Sequence, residues 1–251
     1  MLPFLLSSLF LLGLSGLLLR RRQTLKQRLL AIKGTEVARL ADLRQLIDHV
    51  ARELGPGAYR ERVALVGTIR CDAPLEAPLS KQACVYCRTV VKERYRDTAT
   101  RGSKRSRRSQ RRTRIISCDV IQTPFYLDDP SGQVRIDPDS FDVQGVTVVK
   151  RFEPASPGGH ARRSTLGYHY WEEILPLGTS VYVMGELTDE EPELSVAAPA
   201  APPVGIITHQ SRQALVGKVE QSIRRREVAS GVLLAASLGV LLVGAYNLLS
   251  R

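Results

Sequence analysis

Three groups of residues in this sequence have the types and spacing that chemistry needs. Cys71, Cys84, Cys87 and Cys118 include one C-x-x-C pair. Zinc or redox work wants two thiolates converging from a tight turn. The string ACVYCRTVV reads as a strand instead, in which residues three apart face opposite sides with backbones about 10 Å apart. The cysteines are therefore expected to be structural thiols, sharing neither a metal nor a disulfide, and no cofactor is expected. The second group is HYWEE, where His169, Glu172 and Glu173 flank the sole tryptophan, Trp171. On a helix His169 and Glu172 would share a face, but no HExxH pattern or second histidine lies near. A cleft lined by Tyr168, Trp171 and Glu172 is the sharper alternative to a role in supporting the fold. Phosphate-binding glycine loops and the G-x-S-x-G elbow do not occur, so no catalytic residue is assigned.

The third group is the run RGSKRSRRSQRRTR, with Arg101, Lys104, Arg105, Arg107, Arg108, Arg111, Arg112 and Arg114 and no acid. It joins two expected strands and holds no apolar residue to dock it, so residues 101–114 are expected to form a mobile hairpin tip. These eight cations are candidate contacts for anionic lipid headgroups, each contributing about 1 kcal/mol near such a surface. A solvated loop without a partner is the plainer alternative. Nucleic acid is disfavoured, because no aromatic residue is interleaved for base stacking. Ser103, Ser106, Ser109 and Thr113 beside arginine invite phosphorylation, which would cut the charge by about 1.5 to 2 units per site.

The formal charge of the 251-residue chain is +11. Arg20–Arg22, Arg224–Arg226 and the run above hold 14 of its cations, and without them the remaining 22 basic residues are outnumbered by 25 acids. Two of the three clusters flank uncharged apolar stretches, residues 2–19 and 228–249. At about 1.5 Å per residue these reach roughly 27 and 33 Å, enough for a bilayer core, and two transmembrane helices are expected. A cleaved signal peptide is the rival for the first, but three arginines follow the apolar run rather than precede it. The positive-inside rule then places the central domain on the cytoplasmic side and both termini opposite, an integral two-pass arrangement. Gly231, Ala235 and Gly239 form a small-xxx-small face that would pair with the first helix around Gly13 and Gly16, or drive a homodimer.

Between the apolar stretches, Leu40, Leu43, Leu46, Ile47, Val50 and Leu54 have the spacing of an amphipathic helix, ended by Gly55-Pro56-Gly57. The period then changes to two. Strands are expected around Val63–Ile69, Val85–Val91, Ile116–Val120 continuing through Phe125 and Leu127, Val134–Ile136, Val143–Val149 and Val181–Leu187, with residues 151–164 as a loop. Leu215, Val219 and Ile223 mark one face of a later helix. The fold class read from this is α+β: a mainly antiparallel β domain of about seven strands, flanked by short helices and two transmembrane helices. The divisions are 2–19 transmembrane, 24–54 linker and amphipathic helix, 60–208 β domain, 209–227 cationic helix and 228–249 transmembrane.

Four strings taken together resemble a known arrangement: GTIRCDAPLEAPLSKQACVYCRTVVKE from Gly67, TPFYLDDPSGQVRIDP from Thr123, YHYWEEILPLGTSVYVMGEL from Tyr168 and ITHQSRQALVGKVEQSIRRR from Ile207. They are similar to the GIDE, or "beside a membrane", domain of the Mulan-type membrane-anchored E3 ubiquitin ligases. The family-matched positions are Cys84, Tyr86, Phe125, Leu127, Tyr168, Glu172, Gly178, Gly185 and Glu186, and the match at Tyr168 and Glu172 implies a hydrogen bond that supports the fold. In that family catalysis is supported by a zinc-binding RING, whose ligands have no counterpart after Cys118, so the resemblance implies a RING-less, prokaryotic-like form. The function expected is a two-pass, membrane-anchored binding module at the bilayer surface; the alternative is an E3 ubiquitin ligase-like or accessory subunit in protein modification or in organelle or membrane organisation, with catalysis on another chain. Expected partners are the membrane, anionic headgroups, a protein partner and a second copy through the transmembrane helices.

Overall fold

The computed structural model describes residues 2–55, 57, 59–98, 109–155, 163–189, 193–202 and 204–249. The chain divides into two compact units, one of Met1–Glu36, Pro199–Val204 and Gln210–Arg251, the other of Val37–Ala198 and Gly205–His209.

The first unit is a pair of long helices, α1 (Leu2–Gly34) and α3 (Arg212–Leu249). They run antiparallel. Arg22 pairs with Glu227, Lys33 Nζ lies 2.7 Å from Glu220 Oε1, and the Arg212 guanidinium donates to the Ile32 and Lys33 carbonyls at 3.1 and 2.9 Å. Arg212 thereby satisfies carbonyls at the end of α1 that have no partner within their own helix. The less exposed positions recur at steps of three, four or seven, Ser15, Arg22, Leu25, Leu29 and Ile32 on α1 and Val219, Ile223, Arg226, Ser230, Leu233, Ser237 and Val240 on α3, the spacing of a two-helix seam. Part of this seam is serine. Ser15, Ser230 and Ser237 are buried there beside half-buried Leu233 and Val240, while Leu9, Phe10, Leu17, Val232, Leu238 and Leu242 are exposed.

The expected two transmembrane helices are overturned: among the described residues no helix is long and apolar enough to cross a membrane. Much of residues 2–19 lies outside the described side chains. Of the two short flanking helices expected, the amphipathic one forms over Leu40–Leu54, whereas the cationic one is part of the 38-residue α3. Nor do the glycines meet: a Cβ added at Gly13, Gly16, Gly231 or Gly239 would touch nothing within 4 Å, so the α1–α3 seam runs through the serines instead.

The second unit is β-rich, with twelve strands among the described residues in place of about seven. In chain order they are β1 (Arg60–Arg70), β2 (Leu75–Glu76), β3 (Ala83–Thr98), β4 (Ser109–Gln122), β5 (Phe125–Asp129), β6 (Gly132–Ile136), β7 (Asp142–Gln144), β8 (Val146–Pro154), β9 (Arg163–Pro176), β10 (Ser180–Thr188), β11 (Ser195–Ala197) and β12 (Ile206–Thr208). Among the described residues one helix of this unit, α2 (Leu40–Leu54), precedes them.

In the first sheet the neighbours β1-β5-β6-β11-β10 close on themselves through a β1–β10 pairing, and β12 and β7 extend from β10. Closure removes open edges. The interior takes Val63, Leu65 and Ile69 of β1, Phe125 and Leu127 of β5, Val134 and Ile136 of β6 and Val181, Val183 and Leu187 of β10, and Leu40, Leu43 and Ile47 of α2 pack into the same cluster. Gly178 and Gly185 are two of the glycines that geometry requires. Gly178 has φ +72 in the turn between β9 and β10, and a Cβ at Gly185 would lie 2.6 Å from Val196 Cγ1 where β10 meets β11.

The second sheet has the order β2-β3-β9-β8, with β4 also on β3, and every pairing is antiparallel. Here the sequence expectation differs in three ways. Residues 151–164 are not simply loop, since β8 runs to Pro154 and β9 starts at Arg163. The strand of Ile116–Val120 does not continue into Phe125 within one sheet: β4 belongs to the second sheet and β5 to the first. Gln110–Arg114 of the basic run are strand, and Arg101, Lys104, Arg105, Arg107 and Arg108 lie outside the described residues.

Candidate binding face of the second sheet

Side chains alternate across a strand, so the pairing register decides which of them meet. Along β3, Arg88, Val90, Lys92, Arg94 and Arg96 share a face. Their partners on β9 are Glu173 for Arg88, Trp171 for Val90 and His169 for Lys92; on β4, Val120 for Arg88, Cys118 for Val90, Ile115 for Lys92 and Arg111 for Arg96. On β8, Lys150 pairs with Trp171 and Phe152 with His169. Among the described side chains this face gathers six cations, Arg88, Lys92, Arg94, Arg96, Arg111 and Lys150, against one carboxylate, Glu173. The opposite face holds Glu93, Asp119, Glu153 and Glu172 with only Arg112, Arg114 and Arg151. The pleat has sorted the charge.

The cationic face also carries a line of rings. Phe152 and His169 have centroids 4.6 Å apart, His169 stacks on Trp171 at 5.2 Å and 24°, and Lys92 Nζ sits 4.8 Å over the indole. An exposed cation–π contact of this kind contributes about 0.5–1 kcal/mol. Beside it a shallow hollow of about 220 Å³ is lined by Arg88, Val90, Lys92, Ile115, Cys118, Thr147, Trp171 and Glu173. Arg88 is held above the ordinary arginine range, first by a hydrogen bond to Cys118, which outweighs the opposing effect of burial. Exposed Ile115, Val120 and Phe152 add apolar surface.

The opposite face is tied down. Glu172 is fully buried, and its carboxylate accepts the backbone N–H groups of Leu79 at 2.7 Å and Ser80 at 2.9 Å. Glu93 accepts from Arg114 Nε at 2.8 Å and from the Thr165 hydroxyl at 2.6 Å. Arg114, one of the eight candidate cations, is therefore engaged within the chain, and Arg112 donates to Gln110 at 3.2 Å. The alternative cleft of Tyr168, Trp171 and Glu172 does not form, because Trp171 lies on the cationic face and the other two on the opposite one.

The expectation for Cys84 and Cys87 is also corrected. An extra residue in β3, Val85, breaks the register between Cys84–Pro176 and Tyr86–Leu175. This bulge shifts the alternation by one, and both thiols fall in one small core with Ala77 and Ile174. Burial first, then Cys87 and Glu172, pushes the Cys84 thiol up to about 11; burial also raises Cys87. Their contacts are Leu75 O for Cys84 and Thr89 Oγ1 for Cys87, each at 3.6 Å. All four cysteines are free, and among the described residues no group of three or more His, Cys, Asp or Glu could hold a metal.

The remaining family-matched positions are architectural in their surroundings. Tyr86, Phe125 and Leu127 are in the barrel core, Glu186 pairs with Arg60 at 3.1 Å, and Tyr168 stands opposite Glu93. Sequence reasoning passed over Arg88, Lys92, Arg94, Arg96, Lys150 and Phe152. The signal for four of them was present, since they recur at every second or fourth position of an alternating strand.

Comparison with known proteins gives one match. The family model GIDE, described as E3 ubiquitin ligase, matches residues 93–243. No curated protein and no solved structure matches the chain. The matched stretch takes in most of the cationic face, Gly178 and Gly185, and the first part of α3 through the serine seam, and covers more than half of the sequence. This chain belongs to the GIDE family and is a protein related to the E3 ubiquitin ligases.

Proposed function

We propose that the chain is a binding module of ubiquitin-ligase-related machinery, with catalysis on another chain, and that the cationic face of its second sheet docks onto the anionic headgroups of a bilayer surface. The observation that supports this reading is the sorting of six cations against one carboxylate around Trp171, His169 and Phe152. Each lysine or arginine near an anionic surface contributes about 1 kcal/mol, so six suffice for reversible adhesion. Indole and phenyl rings beside the cations suit the headgroup boundary, apolar at one end and wet at the other. Nucleic acid fits less well. His169 stacks on the indole and Lys92 sits over it, while Phe152 lies against the imidazole, so a stacked base would compete with contacts these rings already make. Arg101, Lys104, Arg105, Arg107 and Arg108 belong to the same proposal as further headgroup contacts.

The sole tryptophan is Trp171, so its emission reports directly on this face. Titration with vesicles containing phosphatidylserine is expected to shift that emission, and neutral phosphatidylcholine vesicles to shift it far less. The triple variant Arg88→Glu, Lys92→Glu, Lys150→Glu should bind anionic vesicles at least about 100-fold more weakly, three charges being reversed at about 1 kcal/mol or more each. Equal response to neutral and anionic vesicles, or an unaffected triple variant, sinks the proposal.

A further inference from the structure

β4 has a neighbour on one side only. It pairs with β3, and among the described residues no strand pairs with its outer edge. Its described side chains are exposed from Gln110 to Ile121 except at half-buried Ser117. Ile115 is 60% exposed, Ile116 50% and Val120 50%. A long edge strand with apolar side chains open to solvent is a template for another strand.

The charge along β4 selects the neighbour. Arg111, Arg112 and Arg114 lie toward the β3–β4 tip. Asp119 lies toward the other end, where Gln122 also holds Asp139 by a 2.5 Å hydrogen bond. A parallel copy would set arginine against arginine, whereas an antiparallel copy sets arginine against carboxylate. Register is the second requirement. In a regular strand residues 112 and 119, seven apart, would point to opposite faces. The pairings of β4 skip Ile116, since Val91 faces Ser117 and Lys92 faces Ile115. Because of this extra residue Arg112 stands opposite Tyr95 and Asp119 opposite Thr89, six apart on β3 and on one face.

We propose that two copies of this chain pair antiparallel through β4, about a two-fold axis between Ile115 and Ile116. Arg112 then meets Asp119 of the second copy, twice by symmetry, Thr113 meets Cys118, and Arg111 meets Val120. The axis stands perpendicular to the sheet, so the two cationic faces lie on the same side of one continuous sheet. Dimerisation would double the surface available for headgroups, but it does not depend on that reading.

The test uses the full chain in sedimentation equilibrium. Arg112→Asp and Asp119→Arg each place like charges opposite one another at two points, and each should weaken the dimer at least about 10-fold. The double exchange Arg112→Asp, Asp119→Arg restores complementarity and should recover most of the loss. Register is read separately. Thr113→Cys should form a disulfide-linked dimer with the native Cys118 on mild oxidation, because cross-strand neighbours come within bonding reach. The Cys118 of its own chain, five residues along the same strand, is about 16 Å away. Gln110→Cys, placed opposite Ile121, should not crosslink. A chain that stays monomeric at all concentrations overturns the proposal, as does a dimer indifferent to the single exchanges, a double exchange as weak as the singles, or equal crosslinking from Gln110→Cys. Capture of an extended acidic peptide by a monomeric chain would assign the edge to a different partner and overturn it as well.

Discussion

Glu172 carries the most consequential single contact in the second unit. Its fully buried carboxylate is the acceptor for two backbone donors, Leu79 and Ser80, and so fixes the segment before β3 against β9. Hydrogen bonds to an ionised acceptor are stronger than neutral ones, and a buried donor left without a partner carries its full desolvation cost. Glu172→Ala is therefore expected to destabilise the unit by about 3 kcal/mol. Hydrogen exchange checks it: the Leu79 and Ser80 amides should lose protection first, and unchanged protection there would show that the bonds contribute little. Cys84 and Cys87 lie in the adjoining small core, where burial keeps both thiols protonated and suits them to packing rather than to nucleophilic work.

At the scale of elements, α2 shows how one piece of this fold completes another. Its N-cap residue, Arg39, makes no side-chain capping bond. The turn between β5 and β6 supplies it: Leu40 N–H donates to Asp129 Oδ2 and Ala41 N–H to Ser131 Oγ, each at 3.0 Å. The free amides at the start of a helix favour a negative charge. Burial by itself would raise the Asp129 carboxyl, but hydrogen bonds from Ser131, Leu40 and Gly132 more than offset it and hold the group below its usual range. A carboxylate depressed on folding adds stability above its unfolded pKa of about 3.9, and that stability is lost as pH falls through the lower folded value. Asp129→Asn, which removes the charge and keeps the shape, should thus cost about 0.5 kcal/mol at neutral pH. In thermal melts the gap between the two proteins should narrow below pH about 4; a gap constant with pH would remove the charge from the explanation.

For the molecule as a whole, the net charge of +11 is a matter of placement. Arg21, Arg22, Arg212 and Arg226 tie the two long helices together, with Arg226 donating to the Arg21 carbonyl at 3.2 Å. The cations of β3, β4 and β8 form a face instead. If adhesion is electrostatic it must follow screening. The Debye length falls from about 10 Å at 0.1 M salt to about 3 Å at 1 M. Binding to anionic vesicles should weaken steeply over that range for the native chain and much less for the triple variant. Equal salt slopes would place the attraction elsewhere.

The sequence by itself determined where the periods change. Leu40, Leu43 and Ile47 marked the buried stripe of α2, Val63, Leu65 and Ile69 the inner face of β1, and Leu215, Val219 and Ile223 the buried side of α3. These were legible because amphipathic spacing is local, each side chain's direction following from its neighbours. The family was legible too, in four strings that share an order. Other features depended on distant partners. β9, central to the second sheet, was hidden because its polar and aromatic residues do not alternate simply. The apolar stretches at both ends predicted membrane spans, yet among the described residues no helix is long and apolar enough to cross a membrane. Only the tertiary structure decided that β4 and β5 part into different sheets, and that Val85 and Ile116 are extra residues in their strands. A bulge is set by the register of the opposing strand, which no local pattern records, and one extra residue reverses the face of every side chain after it. That phase shift brings Cys84 and Cys87 together and puts Arg112 and Asp119 on one side.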